Sequence, residues 1–478
     1  MPADHSLFSS LCGWNSGTAA GGGPGGCVAV TQWRSVLFPV LLLAVPAFAQ
    51  TATPDDFHVY TEAPRLLLTR QRLRLLQRER DRQSMRWQAF DSFLSADAPM
   101  AEPGFAWALY YKVARDPAAA NKAVDWALGE DSDLRQLALI YDWCTPAMTK
   151  SQSDRLGQKI ERALDGPAPE DVRGNSARVL AAIAIADLAP DQSEAALKAV
   201  IVKWWRGAIV PRLNKGDPAI PREQIYALYE MLHAVRDNLK IDLRESAPEY
   251  FKELPTDHLT GHYPARLAAP ENDFRVPVYV RDGNPDVADA VRSRAAELAM
   301  VAYDDNALDS QYLQGWLMQD RFLMRGALGV PYEFLWANPY QPGLSYFQMP
   351  LVFHDPASGH VFARTSWDED ATWLGYFDGH LQLFRNGQVE TLRAGATAKP
   401  MKVGGALIVP SENKDSARFR ADAEAIFVLN LVPHSAYDVE VDDEEMWEVE
   451  TDAGGTLVLA FPEGTDTGVR IHRETGAQ

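Results

Sequence analysis

Cysteine is scarce in this chain. Three in 478 residues are too few for a disulfide framework. Two of them, Cys12 and Cys27, lie upstream of a segment that reads as a cleavable leader. The mature chain then keeps Cys144 alone, so no intramolecular disulfide forms. Its apolar, helical surroundings read as a buried, inert thiol. Positive charge is also short: 46 Lys and Arg against 65 Asp and Glu give a net charge of −19. That balance excludes nucleic acid or an anionic membrane as partner, because both demand a basic face. The G-x-S-x-G elbow, H-E-x-x-H, the P-loop and G-x-G-x-x-G after a strand are all absent. No cofactor is implied.

The first fifty residues divide in two. Residues 1–29, with GTAAGGGPGG, are low-complexity and read as a mis-assigned or disordered extension. Residues 30–49 carry the pattern of a secretory signal. Arg34 supplies the positive end, Ser35 to Pro46 the apolar run, and Ala47-Phe48-Ala49 the cleavage site. The apolar run is too short to span a bilayer. Cleavage after Ala49 predicts a secreted or periplasmic protein without an integral membrane segment.

Two hydrophobic periods divide the rest. Leu134, Leu137, Ala138 and Tyr141 give the helical spacing, and Ala177, Leu180, Ile183, Ala184 and Leu188 repeat it. The spacing predicts helices over 69–94, 103–115, 118–128, 131–144, 150–164, 173–188, 192–209, 221–239, 285–303 and 311–325. Thr149 and Gln152 form the pattern of a capping box. About ten consecutive helices with short links imply stacked hairpins over 60–335, as in an incomplete α/α toroid. Residues 240–284 are rich in proline and without period, and read as a long functional loop. After residue 345 the period becomes two, which predicts an antiparallel β-sandwich over 345–478, with 420–478 as a separable small module.

Asn386-Gly387 is the strongest hairpin signal. A two-residue turn there pairs Arg385 with Gln388, Phe384 with Val389, Gln382 with Thr391 and His380 with Arg393. His380 and Gln382 then share one face, and Leu381 and Leu383 the other. Arg393 across the strand predicts a His380 held neutral.

Pro64-Arg65-Leu66-Leu67-Leu68-Thr69, LALIYDWCTPAMTKSQSDRL (137–156) and GHVFARTSWDEDATWLGYFDG (359–379) resemble the heparinase II/III-like polysaccharide lyases. That resemblance implies a toroid joined to a β-sandwich and β-elimination of uronate-containing glycans at their interface. It implies Tyr263 as the proton-transfer residue, His380 as partner base beside His262, and Asn175 or an arginine neutralising the carboxylate. Arg364, Arg266 and Arg275 would bind substrate, and Trp336, Tyr340 and Tyr346 would line the groove. The family's strand carries two histidines and an aspartate where this chain has Leu381, Gln382, Leu383 and Phe384. A lone histidine does not hold zinc, so no metal is implied. The departure leaves room for a glycan-binding relative without turnover, and the many Glu/Asp pairs for a glycoside hydrolase on the same toroid.

Each residue also has a plain reading. Asn175 fits a helix N-cap, and Tyr263 a loop anchor. Arg266, Glu271 and Arg275 fit solvated surface pairs. His354 and His360 flank a hairpin turn and read as turn residues. Trp204, Trp205 and Trp316 sit at helical spacing and read as core. Val441 to Glu445 reads as a solvated acidic turn.

Overall fold

The computed structural model describes residues 56–478, apart from 131–132, 218, 269–272, 281–284, 321–322, 394–397, 443–444 and 475–478. The leader, the extension before it with Cys12 and Cys27, Glu271 and part of the acidic run at 441–445 therefore lie outside the described residues. The residues after Pro54 form one compact unit. Among the described residues no helix is long and apolar enough to cross a membrane.

Helices come first and sheets follow. The helices are Arg70–Asp81, Met85–Ser95, Pro103–Ala114, Pro117–Ala127, Leu134–Cys144, Lys150–Leu164, Val172–Ala184, Pro190–Lys198, Ile225–Leu239, Pro248–Thr260, Val287–Tyr303, Leu308–Gln319 and Val330–Trp336. A π-helical stretch, Ala199–Ile209, continues the eighth into the short helix Val210–Leu213. The helix expected over 69–94 breaks in two. Gln83 has a positive φ, and the Ser84 side chain caps the next helix through the Trp87 amide. Both halves of the capping box at Thr149 and Gln152 are present. Thr149→Ala is expected to cost about 1 kcal/mol of stability, readable by urea unfolding.

The stretch read as a long loop is instead a helix and a hairpin. In Pro248–Thr260 every residue from Leu254 onward is buried. A helix covered all round shows no amphipathic period, and Pro255 inside it adds a breaker signal. The same holds for Val330–Trp336, where all seven residues are buried. Strands β1 (His262–Ala268) and β2 (Asp273–Pro277) pair antiparallel behind the helix.

The last helix returns to the first ones. Arg72 Nη1 donates to the carbonyls of Leu335 and Trp336, both at 3.0 Å. Arg86 pairs with Glu333, and the Tyr332 hydroxyl donates to Glu102. The Pro64–Leu68 opening is fixed by Asp142, whose carboxylate accepts the amides of Arg65 and Leu66 at 2.9 Å. Cys144 is buried, and burial pushes its thiol pKa up to about 12.

Three sheets stack in the region read as a β-sandwich with a small module after it. The first, in order, holds β3 (Val352–Asp355), β4 (His360–Arg364), β5 (Trp373–Phe377), β6 (His380–Arg385) and β7 (Gln388–Leu392). Next come β8 (Met401–Val403), β9 (Ala406–Pro410), β10 (Ser416–Ala421), β11 (Ala425–Leu429), β12 (Ala436–Val441), β13 (Glu445–Glu450), β14 (Leu457–Ala460) and β15 (Thr467–Arg473). They form the sheets β14-β11-β9-β8 and β10-β15-β12-β13. The first of these lies in the middle. Its Ile408, Phe427 and Leu429 pack with Val361, Leu374 and Leu383 of the five-stranded sheet. Its Val409, Ile426 and Val428 pack with Phe419, Tyr437 and Ile471 of the outer one. Burial on both faces explains the unbroken apolar runs ALIVP and AIFVL, and β9 pairs parallel with β11.

The remaining face of the five-stranded sheet covers the helices through Phe353, Phe362, Trp373, Phe377 and Phe384. Gly375 is needed there, because a Cβ would stand 2.2 Å from the Trp373 ring. The β6–β7 register runs from Arg385 with Gln388 to Leu381 with Leu392, as the turn chemistry predicts. Asn386 and Gly387 both have positive φ.

Candidate functional site

A cleft of about 680 Å³ opens between the helices, the β1–β2 hairpin and one end of the five-stranded sheet. Arg222, Tyr250, Asp257, His258 and Ser293 line it from the helical side, Tyr279 from the segment after β2. Asp355, Ser358, His360, Phe362, Phe377 and Asp378 line it from the sheet.

Two turns aim the polar groups. Asp378 and Gly379, both with positive φ, join β5 to β6 and bring Asp378 to the neighbouring strand's His360. Asp355, opposite His360 across β3 and β4, folds the other turn by accepting the Ala357 amide and the Ser358 hydroxyl. His360 Nδ1 lies 2.6 Å from Asp257 Oδ1, and Nε2 lies 3.6 Å from Asp378 Oδ1.

The electrostatics follow from burial and pairing. Burial alone would push the His360 pKa down. Asp257 and Asp378 together outweigh it and raise it to about 10, so the ring is an imidazolium at neutral pH. Its contact with His360 holds Asp378 below the usual carboxylate range. Burial, reinforced by Asp257, pushes the Asp355 carboxyl up. Burial, with Arg222 beside it, keeps His258 neutral. Arg222 donates to the Ser293 hydroxyl and the His258 carbonyl, with Glu297 at 3.8 Å. The cleft lining carries seven carboxyl groups against Arg222 and the His360 imidazolium.

His360 gives stability a pH dependence. Folding raises its pKa from 6.5 to about 10. Its stabilisation is therefore complete below the unfolded value and is lost as pH rises through the folded one. Between about pH 6 and 9.5, wild type is expected to lose roughly 2–4 kcal/mol more unfolding free energy than His360→Gln. Urea unfolding at the two pH values reads the difference.

No protein-family model matches the chain, and no curated protein matches it.

The structure brings some of the sequence-derived site residues together and separates others. His262 and Tyr263 lie at the interface of helices and sheet, but inside it. His262 Nδ1 is 2.7 Å from the His258 carbonyl, Nε2 is 3.4 Å from Glu297, and its ring packs on Trp316. The Tyr263 hydroxyl donates to Gln382 Oε1 at 2.7 Å, and its ring is held between Trp373 and Phe384. Burial raises its pKa. It locks the hairpin to the sheet, since Gln382 Nε2 also donates to the Tyr279 carbonyl. His380, half-buried at the start of β6, packs beside Phe377 and is not among the residues lining the cleft.

Asn175 is not an N-cap. Asp171 caps that helix, and the Asn175 amide donates to the carbonyls of Pro169 and Asp171 inside it. Trp336 is interior rather than groove-lining. Its indole donates to Tyr226, and Arg72 covers its ring. Tyr340 is exposed under Arg82, while Tyr346 is buried against Phe347 and Trp367. Trp205 and Trp316 are core as expected, and Trp204 is half-buried. Arg266 and Arg275 are not solvated surface charges. They face each other across β1 and β2 and gather with Arg294 around the buried Asp320.

Sequence reasoning missed Arg222, Asp257, Asp378 and the role of His360. The Asp378-Gly379 pair was a readable turn signal. Nothing in the sequence links it to Asp257, more than a hundred residues earlier.

Proposed function

We propose that the chain is a carbohydrate-active enzyme that takes a neutral or amino sugar into this cleft and hydrolyses a glycosidic bond there. The observation that carries the reading is a pair of carboxyls flanking His360 and driven in opposite directions. Asp355 is raised by burial, and Asp378 is lowered by the imidazolium. Divergence of this kind assigns an acid and a base on one site. Asp355 protonates the leaving oxygen, and Asp378 activates the attacking water. The excess of carboxyl groups repels a polyuronate and suits a neutral or cationic sugar. The helices are read as an α/α toroid, because the last helix is tied back to the first two by Arg72 and Arg86.

A second reading, a relative of the polysaccharide lyases, is favoured by Arg222, the His360 imidazolium and the Tyr250 hydroxyl on one cleft. These offer neutralising cations and a proton donor, since burial raises the Tyr250 pKa and keeps it a phenol. Incubation with neutral, amino and uronate polysaccharides separates the readings. New reducing ends without ultraviolet absorbance, on a neutral or amino glycan, are expected. Absorbance from a new conjugated double bond on a polyuronate would replace hydrolysis by elimination. Binding without turnover would leave a glycan-binding protein.

A further inference from the structure

The arginines around Asp320 are out of charge balance. Arg266 and Arg275 stand directly opposite each other on β1 and β2, a like-charge pairing that disfavours the hairpin unless something offsets it. Asp320 Oδ1 lies 3.5 and 3.7 Å from their Nε atoms, and Oδ2 lies 3.3 Å from Arg294 Nη1. Glu369, 57% exposed, reaches the same two hairpin arginines from outside at 3.3 and 3.8 Å. Arg364 completes the group, close enough to Arg275 for that charge to lower its own pKa further after burial. It is buried, donates to the carbonyls of Thr260 and His262, and lies 4.0 Å over the Trp367 ring. Among the described residues no carboxylate is paired with it.

Four guanidinium groups thus meet two carboxylates, an excess of two positive charges in a largely buried place. The Nε atoms of Arg266, Arg275 and Arg294, and Asp320 Oδ1, are buried without a hydrogen-bond partner. Neighbouring Glu297 acts on both Arg222 and Arg294, and counting it together with Arg222 leaves the excess unchanged. Buried cations are stable when paired and hydrogen-bonded, and planar guanidinium forks match oxyanions.

We propose that this cluster is a binding site for a doubly charged oxyanion, a sulfate or phosphate group, which enters on the Glu369 side and is held by Arg364, Arg275 and Arg266. The site is separate from the cleft chemistry and stands whether or not the cleft hydrolyses glycans. A dianion cancels the excess charge, and a carboxylate only half of it.

The test is calorimetric titration of the whole protein with sodium sulfate, sodium phosphate and sodium acetate, ionic strength balanced with chloride. Saturable binding of sulfate or phosphate, at least about tenfold tighter than acetate, is expected. Arg364→Gln should weaken it by about tenfold or more. Glu369→Gln removes an exposed competing carboxylate and should tighten it severalfold, so the site stays testable if the arginine variant fails to fold. Glucose 6-sulfate and glucose 6-phosphate distinguish the source. Tighter binding than the inorganic ion assigns a sugar ester, and equal binding a free anion. Absence of saturable binding in wild type and Glu369→Gln, or affinity unchanged in both variants, would overturn the site.

Discussion

Arg135→Met is expected to destabilise the protein by about 3–5 kcal/mol, because it strands a buried carboxylate. Arg135 Nε and Nη2 each donate to Glu230 at 2.7 Å, and Nη1 donates to Glu102 at 2.9 Å. The Glu230 side chain is fully buried, and Tyr226 donates to it at 2.6 Å. With the guanidinium gone, one phenol is left to solvate that charge. Glu102, at the rim, can still turn to water. Arg135 also lies over the Phe105 ring, whose packing methionine keeps. The double variant Arg135→Met/Glu230→Met is expected to recover most of the loss, since apolar groups of similar volume replace a buried pair at little net cost. Urea unfolding followed by tryptophan fluorescence measures all three chains. A loss below about 1 kcal/mol in the single variant would mean that water reaches Glu230 in the folded state.

The second large effect falls on turnover. On a glycan that the enzyme hydrolyses, Asp378→Asn is expected to lower kcat by about 10²–10⁴-fold with KM little changed, the range for losing a general base. Asp355→Asn should cost a similar factor on natural glycans. The two variants part on other readouts. Removing the base should erase the acidic limb of the pH profile, and removing the acid the alkaline limb. A nitrophenyl glycoside, whose leaving group needs no proton, should restore much of the Asp355→Asn rate and little of the Asp378→Asn rate. Equal losses with an unchanged pH profile and no such rescue would reduce both residues to structural roles, Asp355 as the turn it also forms.

Patterns confined to neighbouring residues were the legible part of this chain. The switch of period near residue 345 marks the change from helices to strands, because side-chain direction repeats every 3.6 or 2 residues within an element. Thr149 with Gln152 and Asn386 with Gly387 are contacts of nearest turns, so their outcomes follow from local chemistry. Pro248–Thr260 and Val330–Trp336 escaped because their burial comes from elements distant in the chain, which erases the polar face that marks a helix.

The site was less legible still. His360 in DPASGH offers only a turn to a local reading, yet it meets Asp257 from 103 positions away. Arg135 and Glu230, 95 positions apart, look like ordinary helix-surface charges until two helices bury them together. Tyr263 went the other way. Its segment allowed two readings, proton transfer or a loop anchor, and packing on Trp373 and Phe384 with Gln382 on its hydroxyl makes it an anchor.

The sequence by itself determined the order of helices before strands, the capping box at Thr149, the turn at Asn386-Gly387, the β6–β7 register and the buried Cys144. Each depends on groups a few residues apart, or on how apolar the surroundings are. Only the tertiary structure decided the third sheet, the cleft and the directions in which the pKa values of Asp355, Asp378 and His360 move. A pKa and a cavity are set by which distant elements exclude water from a group and which charges they bring beside it.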